Sequence, residues 1–417
     1  MQKLLIDGKK TLSGSINISG SKNSALPILA ATILNNHSTI KNIPFVNDIL
    51  TMLNLLKFIG LKYKISKNKN FVEVINRNKN INTVAPYKLV KTMRAGVLVL
   101  GPLLAKYKKA KVSLPGGCAI GTRPVDLHLF ALKKLGAKIK IKNGYILASA
   151  KNGLKGTKFK FPKISVGATE NAILAAVKAK GVTIIENCAV EPEIRDLTNF
   201  LIKLGAKIKI NGRKIKIESS IEEKKLSHKV ICDRIELGTY LIGGALTANK
   251  LILNNIDSSL IKKEISILKK MGVKMTIGKN NIMVYKSNNL KNIYIKTDPY
   301  PGFPTDLQAQ IIILMTQAKG LSKIKESIFE NRFMHVPELK RMGAKIEVHN
   351  NTAYIYGPCA LTGAEVMATD LRASVSLVLA ALIAEKRTKI NRIYHLDRGY
   401  QDLEKKLIKC KAKIKRV

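Results

Sequence analysis

Asp126-Leu127-His128-Leu129-Phe130-Ala131-Leu132-Lys133-Lys134-Leu135-Gly136-Ala137-Lys138-Ile139-Lys140-Ile141 carries the plan of the whole chain. Residues 126–135 are amphipathic with apolar side chains at helical spacing. They run into Gly136, a residue type suited to the left-handed end of a helix, and the alternation that follows reads as a strand. The phrase returns as Phe58-Ile59-Gly60-Leu61-Lys62, Lys203-Leu204-Gly205-Ala206-Lys207, Lys270-Met271-Gly272-Val273-Lys274 and Arg341-Met342-Gly343-Ala344-Lys345, with a worn copy at Lys409-Cys410-Lys411-Ala412-Lys413. The glycine positions stand 67 to 76 residues apart, so the chain holds six units. Each unit also contains a second segment that is apolar nearly all round: residues 24–34, 93–105, 170–179, 235–248, 305–318 and 371–384. A helix without a polar face must be buried. Three such helices per half predict two similar α/β lobes, and the period is too long for a solenoid.

Composition narrows the function. The chain has 417 residues, 46% of them hydrophobic, and a mean hydropathy of +0.02. No apolar run approaches the ~20 residues of a membrane span, and Met1 to Gly8 breaks too early for a secretory signal. The expectation is a cytoplasmic protein with no membrane insertion. Five cysteines lie far apart, with no paired spacing and no histidine at ligand distance, so neither a zinc site nor a disulfide framework is expected. A net charge of +45 would ordinarily suggest nucleic acid. Here the lysines are spread through every segment, tryptophan is absent and no stacking motif occurs. The abundance of Lys, Ile and Asn has the look of coding bias, and the expectation is loose attraction to polyanions without a specific nucleic-acid partner.

Polar residues cluster at the starts of the apolar segments: Lys22 and Asn23, Arg94, Lys163 and Ser165, Asp306, and Asp370 with Arg372. Read singly, Thr169, Thr305 and Thr369 are helix caps, and Asp306 and Asp370 complement helix dipoles. The cations do not fit that reading. Lys22, Arg94 and Arg372 at helix starts oppose the dipole, which predicts that an anion arrives between them. No P-loop and no dinucleotide-binding glycine pattern is present.

One further window is dense in reactive types: Leu114-Pro115-Gly116-Gly117-Cys118-Ala119-Ile120-Gly121-Thr122-Arg123-Pro124-Val125-Asp126-Leu127-His128. Its glycines describe a loosened loop carrying a thiol that Arg123 could favour as thiolate. This window resembles the active-site loop of the enolpyruvyl transferases that act on UDP-N-acetylglucosamine, the UDP-N-acetylglucosamine 1-carboxyvinyltransferase family. Ser19-Gly20-Ser21-Lys22-Asn23, residues 89–95, Ser165-Val166-Gly167-Ala168-Thr169, Phe303-Pro304-Thr305-Asp306, residues 329–335, residues 368–373 and Asp397-Arg398-Gly399-Tyr400 resemble the same family's blocks in the same order.

The resemblance implies a two-domain inverted α/β barrel with six βαβαββ-like repeats, three per domain. Residues 22–231 would form one domain, and residues 1–21 with 232–417 the other, with the active site between them. It implies phosphoenolpyruvate and UDP-N-acetylglucosamine as partners and no metal or organic cofactor. Cys118 would be the general acid and Asp306 the base, with Lys22, Arg123, Arg372 and Arg398 clamping phosphoenolpyruvate. Asn23, Arg94, Arg123, Pro124, Val125, Asp126, Leu127, Lys163, Ile164, Ser165, Val166 and Ile328 would contact the sugar nucleotide, and Lys22, Asp306 and Arg398 would share in catalysis. Arg332, Asp370, Glu191, Glu193 and Asp233 would support them, and His128 and His395 read as structural. Lys88 and the worn sixth phrase depart from the family pattern. A sister enzyme acting on shikimate 3-phosphate shares fold and donor but lacks the Cys118 loop, and a non-catalytic polyanion binder would explain the charge alone.

Overall fold

The computed structural model describes residues 2–417 apart from 67, 69, 79 and 117–124. The described residues form two compact units, one of residues 20–116 and 125–231, the other of 2–19 and 232–417. The Cys118 loop, with Arg123 and Pro124, lies outside the described residues.

Repetition is plain in the elements. Lys158–Lys160, Val166–Ala176, Val182–Glu186, Pro192–Lys203, Lys207–Asn211 and Lys214–Glu218 run strand, helix, strand, helix, strand, strand. The first of these strands pairs parallel with the second, and the other pairings are antiparallel. Six four-stranded sheets of mixed pairing are formed among the described residues, so the class is mixed α/β as expected. In the 20–231 unit the last strand, Lys225–Lys229, returns to pair parallel with the first, His37–Lys41. In the other unit Leu12–Asn17 pairs with Ala248–Asn254, and Leu4–Asp7 sits between Arg387–Asn391 and Lys413–Arg416.

The apolar segments are the cores of these units. All of Arg234–Thr247 and all of Gln308–Met315 are buried, as their lack of a polar face requires. Two segments start differently from the expected α-helix. Arg94–Val99 and Thr305–Leu307 are 3-10 turns, and α-helix begins only at Leu100 and Gln308. Pro102 accounts for the first, since an α-helix begun at Arg94 would place it in the interior, where it lacks an N–H and collides with the preceding turn.

The repeated glycines do what their spacing implied. Gly60, Gly136, Gly205, Gly272 and Gly343 have φ between +87° and +118°. In the worn sixth copy Lys411 takes the same position at φ +71°, a lysine held where its siblings are glycine. Another repeat device was invisible in the sequence. Asn42, Asn187 and Asn255 follow central strands at φ +55° to +58°. Their side-chain amides donate to the carbonyls of Val230, Phe161 and Ile18 at 2.9, 2.8 and 2.9 Å, each at the end of the parallel neighbour strand. We therefore expect Lys411→Gly to raise stability by about 1 kcal/mol. Gly205→Ala should lower it by about 2 kcal/mol or more, because a Cβ there would lie 2.7 Å from the Ser220 carbonyl oxygen. Urea unfolding of the two variants beside the unmodified chain checks both.

Candidate active site

In the unit of residues 2–19 and 232–417, the centre is Asp306. It sits in the turn Thr305–Leu307, and its Oδ1 accepts from Arg332 Nη2 at 2.7 Å while Oδ2 accepts from Arg372 Nη2 at 3.0 Å. The Asp306 side chain is 28% exposed and both arginine side chains 4%, so the acid is partly open to solvent while its two cations are buried. Arg372 is the second residue of Leu371–Ile383, whose N-cap Asp370 accepts from the Arg372 and Ala373 amides at 2.8 and 3.1 Å. The Arg372 guanidinium lies over the Tyr400 ring, 5.4 Å from its centroid. Burial opposes its charge, and Asp306, Tyr400 and Asp233 together more than restore it, so it holds its proton above the ordinary arginine range. Ile328 and Arg398 are half-buried in the same unit, Arg398 at the end of the 3-10 stretch Ile393–Arg398.

In the unit of residues 20–116 and 125–231, Lys22 opens Lys22–Ala31 behind the cap Ser21, whose Oγ accepts from the Ser24 amide at 3.2 Å. Lys22 Nζ meets Asp48 Oδ2 at 3.1 Å with side chains 9% and 7% exposed. Asn23, next to it, is partly exposed. Arg94 opens the 3-10 stretch, Val125 to Leu127 enter the helix Asp126–Lys134, and Lys163 to Val166 lead into Val166–Ala176, with Ser165 accepting from the Ala168 amide at 3.4 Å.

His128 joins the last three segments. Its Nδ1 accepts from the Asn171 side-chain amide at 3.0 Å, and a Cβ on Gly167 would lie 3.1 Å from its Cε1. Burial, and then Arg94, push its pKa down to about 3, so it is a neutral packing group, which agrees with its structural reading. His395 is likewise held below the usual histidine range, by burial and then Arg398.

Two sequence expectations need correction. The cations at helix starts do not wait for a ligand as their countercharge: Lys22 has Asp48, and Arg372 has Asp306. Both acids come from elsewhere in the chain, so helix-by-helix reading could not pair them. The threonines are not the caps. Ser165 and Asp370 cap their helices, while Thr169 accepts from the Ala189 amide at 3.1 Å and Thr305 donates to Glu326 at 2.9 Å. Residues that sequence reasoning missed are all buried carboxylates: Asp48, Glu326, and Asp196, which takes Ser24 Oγ at 2.5 Å, His228 Nε2 at 2.8 Å and the Ile231 amide at 3.1 Å. An acid at helical spacing from a buried apolar residue, as Asp196 is from Phe200 in the amphipathic helix Pro192–Lys203, was the available signal.

A model of EPSP synthase (3-phosphoshikimate 1-carboxyvinyltransferase) matches residues 6–407. The chain belongs to the EPSP synthase family. Within it, a UDP-N-acetylglucosamine 1-carboxyvinyltransferase of Pelagibacter ubique is 59% identical and one of Rickettsia akari 54%, each covering 100% of both chains. Among solved structures, the enolpyruvyl transferase NikO from Streptomyces tendae has a TM-score of 0.92 at 24% identity, covering 100% of this chain and 99% of that one. EPSP synthase from Acinetobacter baumannii has 0.82 at 19% identity with full coverage of both. These two show that the chain has the enolpyruvyl transferase fold, the two-domain α/β architecture expected from the repeats. No helix among the described residues is long and apolar enough to cross a membrane.

His335 is 1% exposed, and burial leads in pushing its pKa down to about 4, with Arg332 adding to that and Asp370 opposing it. With His128 at about 3, both imidazoles are neutral when folded yet take a proton near pH 6.5 when unfolded. Their contribution to stability is therefore complete above pH 6.5 and is lost as pH falls toward 4 and then 3, at up to ~1.4 kcal/mol per pH unit each. Melting temperatures from pH 7.5 to 4.5 should fall less steeply for His128→Gln than for the unmodified chain.

Proposed function

We propose that this chain transfers the enolpyruvyl group of phosphoenolpyruvate to the 3-hydroxyl of UDP-N-acetylglucosamine, releasing phosphate and feeding peptidoglycan precursor synthesis in the cytoplasm. The observation that carries the reading is the partly exposed Asp306 paired with two buried guanidiniums, in a chain whose full-length relatives bear that enzyme's name. In this reading Asp306 takes the proton from the sugar hydroxyl as its oxygen bonds to C2 of phosphoenolpyruvate, while Cys118 gives a proton to C3. The tetrahedral intermediate then loses phosphate from C2 and a proton from C3, which restores the double bond. Lys22, Arg123, Arg372 and Arg398 hold the donor's phosphate and carboxylate, guanidinium suiting both planar groups. Asn23, Arg94, residues 123–127, residues 163–166 and Ile328 receive the sugar nucleotide.

The donor is a multiply charged anion and must compete with Asp48 for Lys22 and with Asp306 for Arg372. Exchange of an internal carboxylate for a substrate anion leaves no buried cation bare at either end of the cycle. The family model's own description names shikimate 3-phosphate chemistry, so the acceptor is the point to test. Phosphate release from phosphoenolpyruvate should require UDP-N-acetylglucosamine, and shikimate 3-phosphate should not replace it. Asp306→Asn should cut turnover by about 10²–10⁴-fold, the usual worth of a positioned proton acceptor. Cys118→Ser should also lose turnover by orders of magnitude while still binding the sugar nucleotide, as read by calorimetry. Full activity of either variant removes that group from the mechanism.

A further inference from the structure

We infer that Glu326 is a positioning residue that fastens the turn bearing Asp306 to the segment bearing Ile328; the inference rests on the reading of the site just proposed. Glu326 follows the strand Gly320–Lys325 and is 2% exposed. Its Oε1 accepts from the Thr297 hydroxyl at 2.9 Å, the Ile328 amide at 2.8 Å and the Phe329 amide at 3.2 Å. Its Oε2 accepts from the Thr305 hydroxyl at 2.9 Å. All four donors are neutral, so a buried carboxylate is held by hydroxyl and backbone dipoles, and losing any one of them leaves charge poorly solvated in the interior.

The geometry gives each donor a different consequence. The two backbone amides fix Ile328, proposed to meet the sugar nucleotide, and Phe329 beside it. The Thr305 hydroxyl fixes the residue before the proposed base. On the other side of that turn, Arg332 Nη2 reaches the Thr305 carbonyl at 3.4 Å and Asp306 Oδ1 at 2.7 Å. Thr305 is thus gripped through its hydroxyl by Glu326 and through its carbonyl by Arg332. The Ser327 amide adds a bond to Thr297 Oγ1 at 2.9 Å, and the Glu326 amide donates to the Asn351 carbonyl at 2.8 Å, so the anchor itself cannot slide. A shift of Ile328 and Phe329 on binding the acceptor passes to Asp306 through one carboxylate. Placement errors of about 1 Å at a reacting group cost ~10²-fold, which is the scale on which such a fastening acts.

The test is steady-state kinetics with phosphoenolpyruvate and UDP-N-acetylglucosamine on Thr305→Val, Thr305→Ser and Glu326→Gln, with a melting temperature for each. Thr305→Val keeps the shape and removes only the hydroxyl, so kcat should fall about tenfold or more with the acceptor KM within about threefold. Thr305→Ser should restore most of that kcat. Glu326→Gln also weakens the hold on the Ile328 and Phe329 amides, so it should raise the acceptor KM by about fivefold or more while the donor KM stays within about twofold. Values of kcat and both KM within about twofold of the unmodified chain for Thr305→Val and Glu326→Gln, or losses that track melting temperature alone and are not rescued by serine, overturn the inference and leave the proposed function standing. An unmodified chain that releases no phosphate with this acceptor overturns both.

Discussion

Two guanidiniums almost wholly removed from water have to be answered by charge, and one carboxylate answers both. Arg332 and Arg372 at 4% exposure would each cost several kcal/mol to bury unpaired. Asp306 offers one oxygen to each, and its own position is therefore dictated by them. The same logic places Asp48 against Lys22. It also places Glu236 against Lys406 at 2.6 Å, where the carboxylate takes the Ser19 amide at 2.7 Å as well. A helix with no polar face can bury its flanks for nothing, but its first turn has amides, which its own cap meets, and cations, whose partners come from other elements of the unit.

That division explains what was legible. The repeat was readable because its grammar is local: a glycine at the end of an amphipathic run and a period-two strand after it need no knowledge of the rest of the chain. Even the degenerate copy kept the grammar, with Lys411 forced to φ +71° in a position its siblings give to glycine. The asparagines that bond across to a parallel strand were not readable. Asn42 and Val230 are 188 residues apart, and nothing near either announces the other. The 3-10 start at Arg94 lay between these cases, since Pro102 stands eight residues further on and is visible in the sequence.

The candidate site divides the same way. Residue types and their positions at helix starts were correct for Lys22, Arg94 and Arg372, because a helix start is a local event. The inference drawn from them was incomplete, because an unfavourable cation can be compensated by a distant side chain as well as by a ligand. Asp48, Asp196 and Glu326 are buried acids whose partners lie elsewhere in the chain, and of the three only Asp196 is marked by the helical pattern of its own element.

The chain's net charge of +45 belongs to this account too. Nine of its 28 acids are buried: Asp48, Glu170, Glu191, Glu193, Asp196, Asp233, Glu236, Glu264 and Glu326. Of 73 lysines and arginines, the described residues bury only Lys22, Arg234, Arg332 and Arg372, so acids point inward and bases outward. On the strands Lys109–Ser113 and Lys138–Lys142, Lys109, Lys111, Lys138, Lys140 and Lys142 all face solvent. Inside, carboxylates are matched to hydroxyls, amides and the few buried cations. Where three of them meet, burial and then Glu193 and Glu191 hold Glu170 well above the carboxylate range. The excess lysines are therefore a property of the solvated shell, free to drift with composition. The handful of buried charges is not free in that way, because each fixes the position of another, and the site is built from those.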